Sequence, residues 1–584
     1  MPLKISNTMK KFLIYSVATL FSLTYFSCSG PDKAVKEAQV LPGGFVRGGV
    51  FRINEVQDFR NLFPLSVIEV TSHRIANQVY EGLVKFDQKT LNIKPAIARS
   101  WDINDDATQF TFHLRKGVKF QDDECFSGGD GREVTAEDVK YCFTKACTAS
   151  PDNLLLWLLK DKIEGGAEYA QSTVEGNPLP EGVKGFKVID DSTFQVNLAY
   201  PFAGFLNLVA HAACWIYPKE AYEKYGVEMR AKAVGTGPFQ IKNISEGQAC
   251  ILQRNKNYWK KDKHGNPLPY LDAIKFSFLK EKKSELFEFR NGNLDMVYQL
   301  PLEMISEVVG DLENAKQGGN IPFNMQVTPS ISIQYYGFQH QSEIFKNKDV
   351  RLAFNHAIDR ESIVTYTLQG EGTPAKYGIV PPAIKDYEFD SIKGYTYDPE
   401  LARKYLEKAG YANGKGFPKI PLQLNSGGST NVQVAEVIQK MLKENLNIDI
   451  ELNIMPWAQH LENAETGKAD FMRLGWIADY PDPENFLNIL YGAHVPAEIG
   501  EKSAVNYVRY QSSTYDKLFQ EALRTVDKKE RYRLYRKAEQ IALNDGAVIP
   551  LYYEESTRLL QTHVKNFPAN AMEYRDFSEV YIEK

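Results

Sequence analysis

The 584-residue chain lacks the compact catalytic signatures that would mark an enzyme. It has no Gly-x-Ser-x-Gly elbow, no His-Glu-x-x-His, no Walker loop and no His-x-x-x-His pair among nine scattered histidines. That excludes the nucleophile-elbow, zincin and P-loop routes to catalysis. Charge of one sign is lacking too: 69 Lys and Arg stand against 74 Asp and Glu, well mixed, so no basic face for nucleic acid is expected. The six cysteines include no Cys-x-x-Cys and none at zinc spacing from histidine. Neither a metal nor a cofactor is expected.

Two stretches imitate ligand loops and fail on spacing. Asp122-Asp-Glu-Cys-Phe-Ser-Gly-Gly-Asp-Gly131 is rich in hard oxygen donors, but Cys125 and Phe126 fall where a calcium loop needs ligands, so a solvated surface loop is expected. Val234-Gly-Thr-Gly-Pro-Phe-Gln-Ile241 has two glycines of a dinucleotide fingerprint. The third is absent and Pro238 would interrupt helix entry, so a chain crossing between lobes fits better.

What is present begins with a targeting segment. Lys10-Lys11 precedes an apolar run from Phe12 to Phe26, which ends at Ser27-Cys28-Ser29-Gly30. A run of about 15 residues is short for a spanning helix, and a cysteine after a small residue matches the pattern of a bacterial lipoprotein signal, with Cys28 as the acylated residue. A plain secretory signal or an uncleaved anchor is the alternative. Acylation of Cys28 leaves an odd set, Cys125, Cys142, Cys147, Cys214 and Cys250, so at least one thiol stays free or pairs between chains. These read as buried small hydrophobes.

The rest, 43% hydrophobic and 24% charged, is globular and long enough for roughly three or four domain-sized units. Strand and helix patterns alternate. Gln109-Phe-Thr-Phe-His-Leu-Arg115 alternates as a half-buried strand, and Thr135-Ala-Glu-Asp138 opens a capped helix. Helices are expected over 74–82, 349–363, 398–410 and 529–543, the third with an Asp cap, Pro at its first position and Gly past its end. Strands are expected at 330–338, 448–454 and 548–553. Helix-then-strand repetition predicts an α/β architecture whose chain crosses between blocks near Gly235, Ser332 and Val548.

The chain is organised around Phe471-Met-Arg-Leu-Gly-Trp-Ile-Ala-Asp-Tyr-Pro-Asp-Pro-Glu-Asn-Phe-Leu487. Its first half has the composition of a strand, on which Arg473, Gly475 and Ile477 share a face and the glycine lets another backbone approach. Its second half packs two prolines and three carboxylates into eight residues, with Asp482 and Pro483 placed to start a helix.

Several motifs together carry a resemblance. Tyr80-Glu-Gly-Leu, Thr111-Phe-His-Leu-Arg-Lys-Gly-Val-Lys-Phe120, Val134-Thr-Ala-Glu-Asp-Val-Lys140, Gly235-Thr-Gly-Pro-Phe, Pro269-Tyr-Leu-Asp272, Ala357-Ile-Asp-Arg360 and Tyr397-Asp-Pro-Glu400 occur in order and with normal spacing. So arranged, the mature chain resembles the oligopeptide- and dipeptide-binding proteins of ABC transporters. The resemblance implies a two-lobed periplasmic binding protein type II fold with an additional subdomain in the first lobe. It also implies a peptide ligand held between the lobes, delivery to ABC transporter permease subunits, and a monomer tethered extracytoplasmically through its lipid. On this pattern, residues 1–28 are the signal and 29–46 the tether. Residues 47–84, 231–331 and 549–584 form lobe I, 85–230 its extra subdomain and 332–548 lobe II.

By the same resemblance Asp479 pairs with the peptide's α-ammonium group and Arg473 faces a carboxylate. Gly475, Trp476 and Ile477 lend backbone hydrogen bonds, and Ile68 and Val70 do so from the opposite lobe. One departure is that Ile477 and the Ile331-Ser332 region lack the cysteines that many oligopeptide-binding relatives have there. The alternatives are a same-fold binder of a sugar, nickel, haem or an opine, a peptide-sensing receptor, and an exported hydrolase.

Overall fold

The computed structural model describes residues 39–300, 302–318, 323–426, 429–503 and 505–583. The targeting segment, Cys28 included, lies outside them. The described residues begin inside the segment expected as a tether: Gln39–Val40 pairs with Val46–Arg47, and Phe45 stacks on Tyr270 with 5.0 Å between centroids.

Strand β1 (Val50–Asn54) enters a large sheet, and the chain then leaves it for a small one. Strands β2 (Ala98–Ile103), β3 (Gln109–Leu114), β4 (Phe186–Asp190) and β5 (Thr193–Asn197) form an antiparallel sheet in the order β2-β3-β5-β4. The alternation read from sequence is real here, with Phe110, Phe112 and Leu114 buried. The helix Ala136–Ala146 covers this sheet. Its Phe143 meets Phe186 and Phe194 edge-on at 5.6 and 5.5 Å, and Asp138 accepts from the Thr135 N–H at 2.9 Å.

The chain rejoins the large sheet through Gly235-Thr-Gly237. A Cβ at Gly235 would sit 2.2 Å from the Val79 carbonyl oxygen, and one at Gly237 would sit 2.6 Å from that of Gln78. The glycine pair therefore packs against residues 78–80 and joins the small sheet to the large one, instead of carrying the chain between lobes. The same contacts correct the helix expected at 74–82, which is Val70–Ala76. Past Ala76 the N–H groups of Gln78 and Val79 turn to the carbonyls three residues back, Ile75 and Ala76, and the Gln78 carbonyl, which a helix reaching residue 82 would give to Gly82, accepts from Phe239 instead.

Strands β6 (Phe239–Ser245), β7 (Ala249–Arg254), β8 (Ala273–Ser277) and β9 (Met296–Tyr298) complete one half of the large sheet. The other half has β10 (Phe323–Phe338), β11 (Thr373–Pro374), β12 (Ile420–Asn425), β13 (Ile450–Met455), β14 (Phe471–Ile477) and β15 (Val548–Gln561). The order is β6-β7-β8-β1-β9-β15-β10-β14-β12-β13, with β11 on β15. Antiparallel β10 and β15 run through both halves, and their ladder breaks around residues 330–332 and shifts register again between Gln334 and Tyr335. Pro329 faces Glu555 and Ile333 faces Tyr553, which leaves Ser330–Ser332 looped opposite Glu554. The break thus lies near Ser332 on β10 and at Glu554 on β15.

Helices follow their punctuation. Asp398 accepts from the Leu401 N–H at 2.9 Å ahead of the helix Pro399–Lys408, and Gly410 takes φ +97° beyond it. The helix expected at 349–363 stops at Ala357, because Ile358 is extended, and restarts when Asp359 caps Ser362 at 3.1 Å. Asp482 both caps the helix Pro483–Leu487, accepting from Glu484 at 3.0 Å, and meets Arg531 at 2.9 Å with both side chains buried. This pair pins the stretch after β14 to the helix Lys528–Asn544. Asp482→Ala strands the Arg531 charge, and urea unfolding should show a loss of about 3–5 kcal/mol.

Candidate functional site

Strand β14 is paired along its whole length on one edge, from Phe471 opposite Phe338 to Ile477 opposite Ser332. On the other edge β12 reaches only Phe471 and Met472. The Arg473 carbonyl points to that second edge, where it meets His460 Nε2 at 3.0 Å. By the two-residue alternation of an antiparallel ladder, the N–H and C=O groups of Gly475 and Ile477 face the same open edge, while Trp476 pairs inward with Ile333. Burial, and then the nearby Arg473 cation, push the His460 imidazole down to about 4, so it is neutral. Its Nδ1 accepts from Gln423 at 3.0 Å, leaving Nε2 to donate to Arg473.

Arg473, Gly475 and Ile477 lie on one face, as the spacing requires. The Arg473 guanidinium donates to Gln334 Oε1 and to Asn425 Oδ1, the latter at 3.2 Å, and pairs with no carboxylate among the described residues. A Cβ at Gly475 would lie 3.0 Å from Gln334 Oε1. Among the described residues, the close neighbour that this glycine accommodates is therefore the side chain steadying Arg473.

Asp479 follows the open edge. It is half-buried, and its carboxylate accepts from Asn485 Nδ2 at 3.0 Å. Asn485 Oδ1 in turn accepts from the Asp479 N–H at 3.1 Å and from Trp476 Nε1 at 2.8 Å. Burial raises the Asp479 carboxyl above the ordinary range, opposed by the Asn485 hydrogen bond. No Lys, Arg or His pairs with it among the described residues. One buried amide thus fixes both the strand's tryptophan and the carboxylate beyond it.

The opposite wall belongs to the first half of the sheet. A cavity of about 270 Å³ at the break in the β10–β15 ladder is lined by Ile477 on one side and by Val70, Arg74 and Tyr298 on the other. The Arg74 and Arg575 guanidinium groups both lie over Tyr298, 4.6 and 5.0 Å from its ring centre, and each arginine meets Glu55 at 2.8 Å. Val70 is the first residue of its helix, so its N–H has no intrahelical partner. Ile68, 60% exposed, makes no backbone hydrogen bond among the described residues and does not line the cavity. The structure thus brings Ile477 and Val70 together, sets Arg473, Gly475, Trp476 and Asp479 along one strand, and leaves Ile68 to the side.

Asn485, Gln334, Asn425 and His460 escape a sequence reading. Amides and a lone histidine carry no motif, and only the fold brings them to β14. Replacing Asn485 with Leu leaves Trp476 Nε1 and the Asp479 N–H unpaired. We expect a loss of about 1–3 kcal/mol in chemical unfolding together with a shifted tryptophan emission.

A family model described as "Bacterial extracellular solute-binding proteins, family 5 Middle" matches residues 92–495. The chain is 30% identical to heme-binding protein A of Haemophilus influenzae, covering 89% of this chain and 90% of that protein. It is 27% identical to the periplasmic oligopeptide-binding protein OppA of Escherichia coli, over 88% and 89% of the two chains. Its structure is similar to that of the ABC transporter-associated periplasmic binding protein DppA from Helicobacter pylori in complex with the peptide STSA. There the TM-score is 0.76 at 27% identity, over 92% of this chain and 99% of that one. The chain belongs to family five of the bacterial extracellular solute-binding proteins, the solute-binding proteins of ABC transporters, and has their two-lobed type II α/β fold.

Proposed function

We propose that this protein captures oligopeptides between its two lobes and delivers them to the permease subunits of an ABC transporter, without chemical conversion. The observation that carries this reading is the Asp479 carboxylate, desolvated and without a cation, set two residues beyond the open edge of β14. A peptide supplies what each part of the site lacks. Its α-ammonium group satisfies Asp479, its main chain pairs with Gly475 and Ile477 as an added strand, and a carboxylate of the ligand satisfies Arg473. Trp476 shapes the strand from behind and Val70 completes the facing wall, with Ile68 standing beside it outside the cavity. Charge then recognises the ends and main chain the middle, so side chains of many kinds fit with bridging water.

The lobes we assign are 47–84, 231–331 and 549–584 for the first, with residues 85–230 as its subdomain, and 332–548 for the second. The protein works extracytoplasmically as a monomer, held to the membrane through an acylated Cys28 after a signal at residues 1–28.

Asp479→Asn keeps the shape and removes the charge. Titration calorimetry with a free-amine tetrapeptide should show about 2–5 kcal/mol of lost binding; unchanged affinity removes Asp479 from this role.

The pH dependence has a definite sign. The ammonium prefers ionised Asp479, so affinity is full above the Asp479 pKa and falls as pH drops through it. Because burial raises that pKa, the fall begins at a higher pH than for an exposed aspartate, which titrates near about 3.9. Affinity also declines above about pH 8, where a free peptide's amino group loses its proton. In Asp479→Asn the acid limb should disappear.

A further inference from the structure

The break in the β10–β15 ladder carries chemistry that peptide-end recognition does not use. Ser330–Ser332 loop out opposite Glu554, and both Ser332 and Glu554 line the cavity that Ile477 and Val70 share. Ser332 is 2% exposed, and its hydroxyl has no hydrogen-bond partner among the described residues. A buried hydroxyl left unpaired is costly unless a ligand or water completes it.

The cavity's other charged groups already have partners. Arg74 meets Glu55 at 2.8 Å, Glu573 meets Arg575 at 3.4 Å, and Lys282 meets Glu285 at 2.8 Å and the Tyr298 carbonyl at 2.5 Å. Glu554 alone among the described charged residues of the lining has none.

More negative charge stands behind it. Strand β11 pairs Thr373 with Tyr553, and continuing that antiparallel register sets Gly372 beside Glu554 and Glu371 beside Glu555. Neither Glu371 nor Glu555 pairs with a cation among the described residues. Burial first, then Glu554 and Glu555, push the Glu371 carboxyl up to about 7, as expected of carboxylates crowded without a counter-charge.

We propose that Glu554, across the ladder break from Ser332 and backed by Glu371 and Glu555, is a subsite for a basic side chain of the bound peptide. The ligand class is thereby narrowed to peptides carrying lysine or arginine at one internal position. The ammonium or guanidinium donates to the Glu554 carboxylate and to Ser332 Oγ. Its charge also relieves the repulsion among the three glutamates. This rests on the peptide reading above, and the same titration separates the two.

The test uses the full chain and free-amine tetrapeptides of alanine in which positions two and three carry, in turn, lysine or its uncharged near-isostere norleucine. At one position the lysine peptide should bind at least about tenfold tighter than its norleucine twin. In Glu554→Gln that ratio should fall to within about twofold, and in Ser332→Ala or Glu371→Gln it should fall part of the way. The two further variants keep the test decisive if Glu554→Gln does not fold. Tight binding of both twins with a ratio within about twofold at every position overturns this inference and leaves the peptide reading standing. A lysine preference that survives all three substitutions overturns it too. If no tetrapeptide binds, the peptide reading fails and takes this inference with it.

Discussion

Beyond Met472, strand β14 has a partner strand on one edge only, and on the other edge, once His460 has met the Arg473 carbonyl, the backbone groups of Gly475 and Ile477 have no partner among the described residues. Such an edge is a hazard on an outer surface, where it invites pairing between copies, and an asset inside a cleft, where only a selected strand can reach it. Most of the architecture serves to put it there. The β10–β15 pair holds β14 against the rest of the sheet, the buried Asp482–Arg531 pair anchors the chain just past it, and Asn485 locks Trp476 to the turn that carries Asp479. Remove any of these and the open edge has no fixed position from which to recognise anything.

Electrostatics divides the cleft in the same spirit. On the wall around Tyr298, two cations meet two carboxylates, Arg74 with Glu55 and Arg575 with Glu55 and Glu573, so these four groups carry no net charge toward a ligand. Along β14 and the ladder break, the charges of Arg473, Asp479 and Glu554 stand without opposite partners among the described residues. A buried carboxylate without a cation is unfavourable in the empty protein, and that cost is recovered only when a cation arrives. On the proposed peptide reading, the wall fixes the shape and the uncompensated groups supply the selectivity.

Much of this was legible in the chain and some was not. The strand at 471–477, its face of Arg473, Gly475 and Ile477, the Asp482 cap and the helix Pro399–Lys408 follow from local periodicity and capping chemistry, which act within a few residues. The helix misplaced at 74–82 and the crossing assigned to Gly235 fail together for one reason. Residues 78–81 give their carbonyls to Gly237, Phe239 and Ile216, partners far away in sequence. Gln334 behind Gly475 and Ser332 opposite Glu554 were invisible for the same cause. Strand register is set by the whole sheet, and no local pattern shows which side chain will stand across a ladder. The open edge itself could not be read either, since it depends on where β12 stops.

The central claim is that a free amino terminus is bound by Asp479 at the end of that edge. The direct measurement is calorimetric affinity for one tetrapeptide in two forms, with its amino terminus free and with it acetylated. The account predicts that the free-amine form binds at least about thirtyfold tighter, the equivalent of about 2 kcal/mol. Equal affinity for the two forms would contradict it.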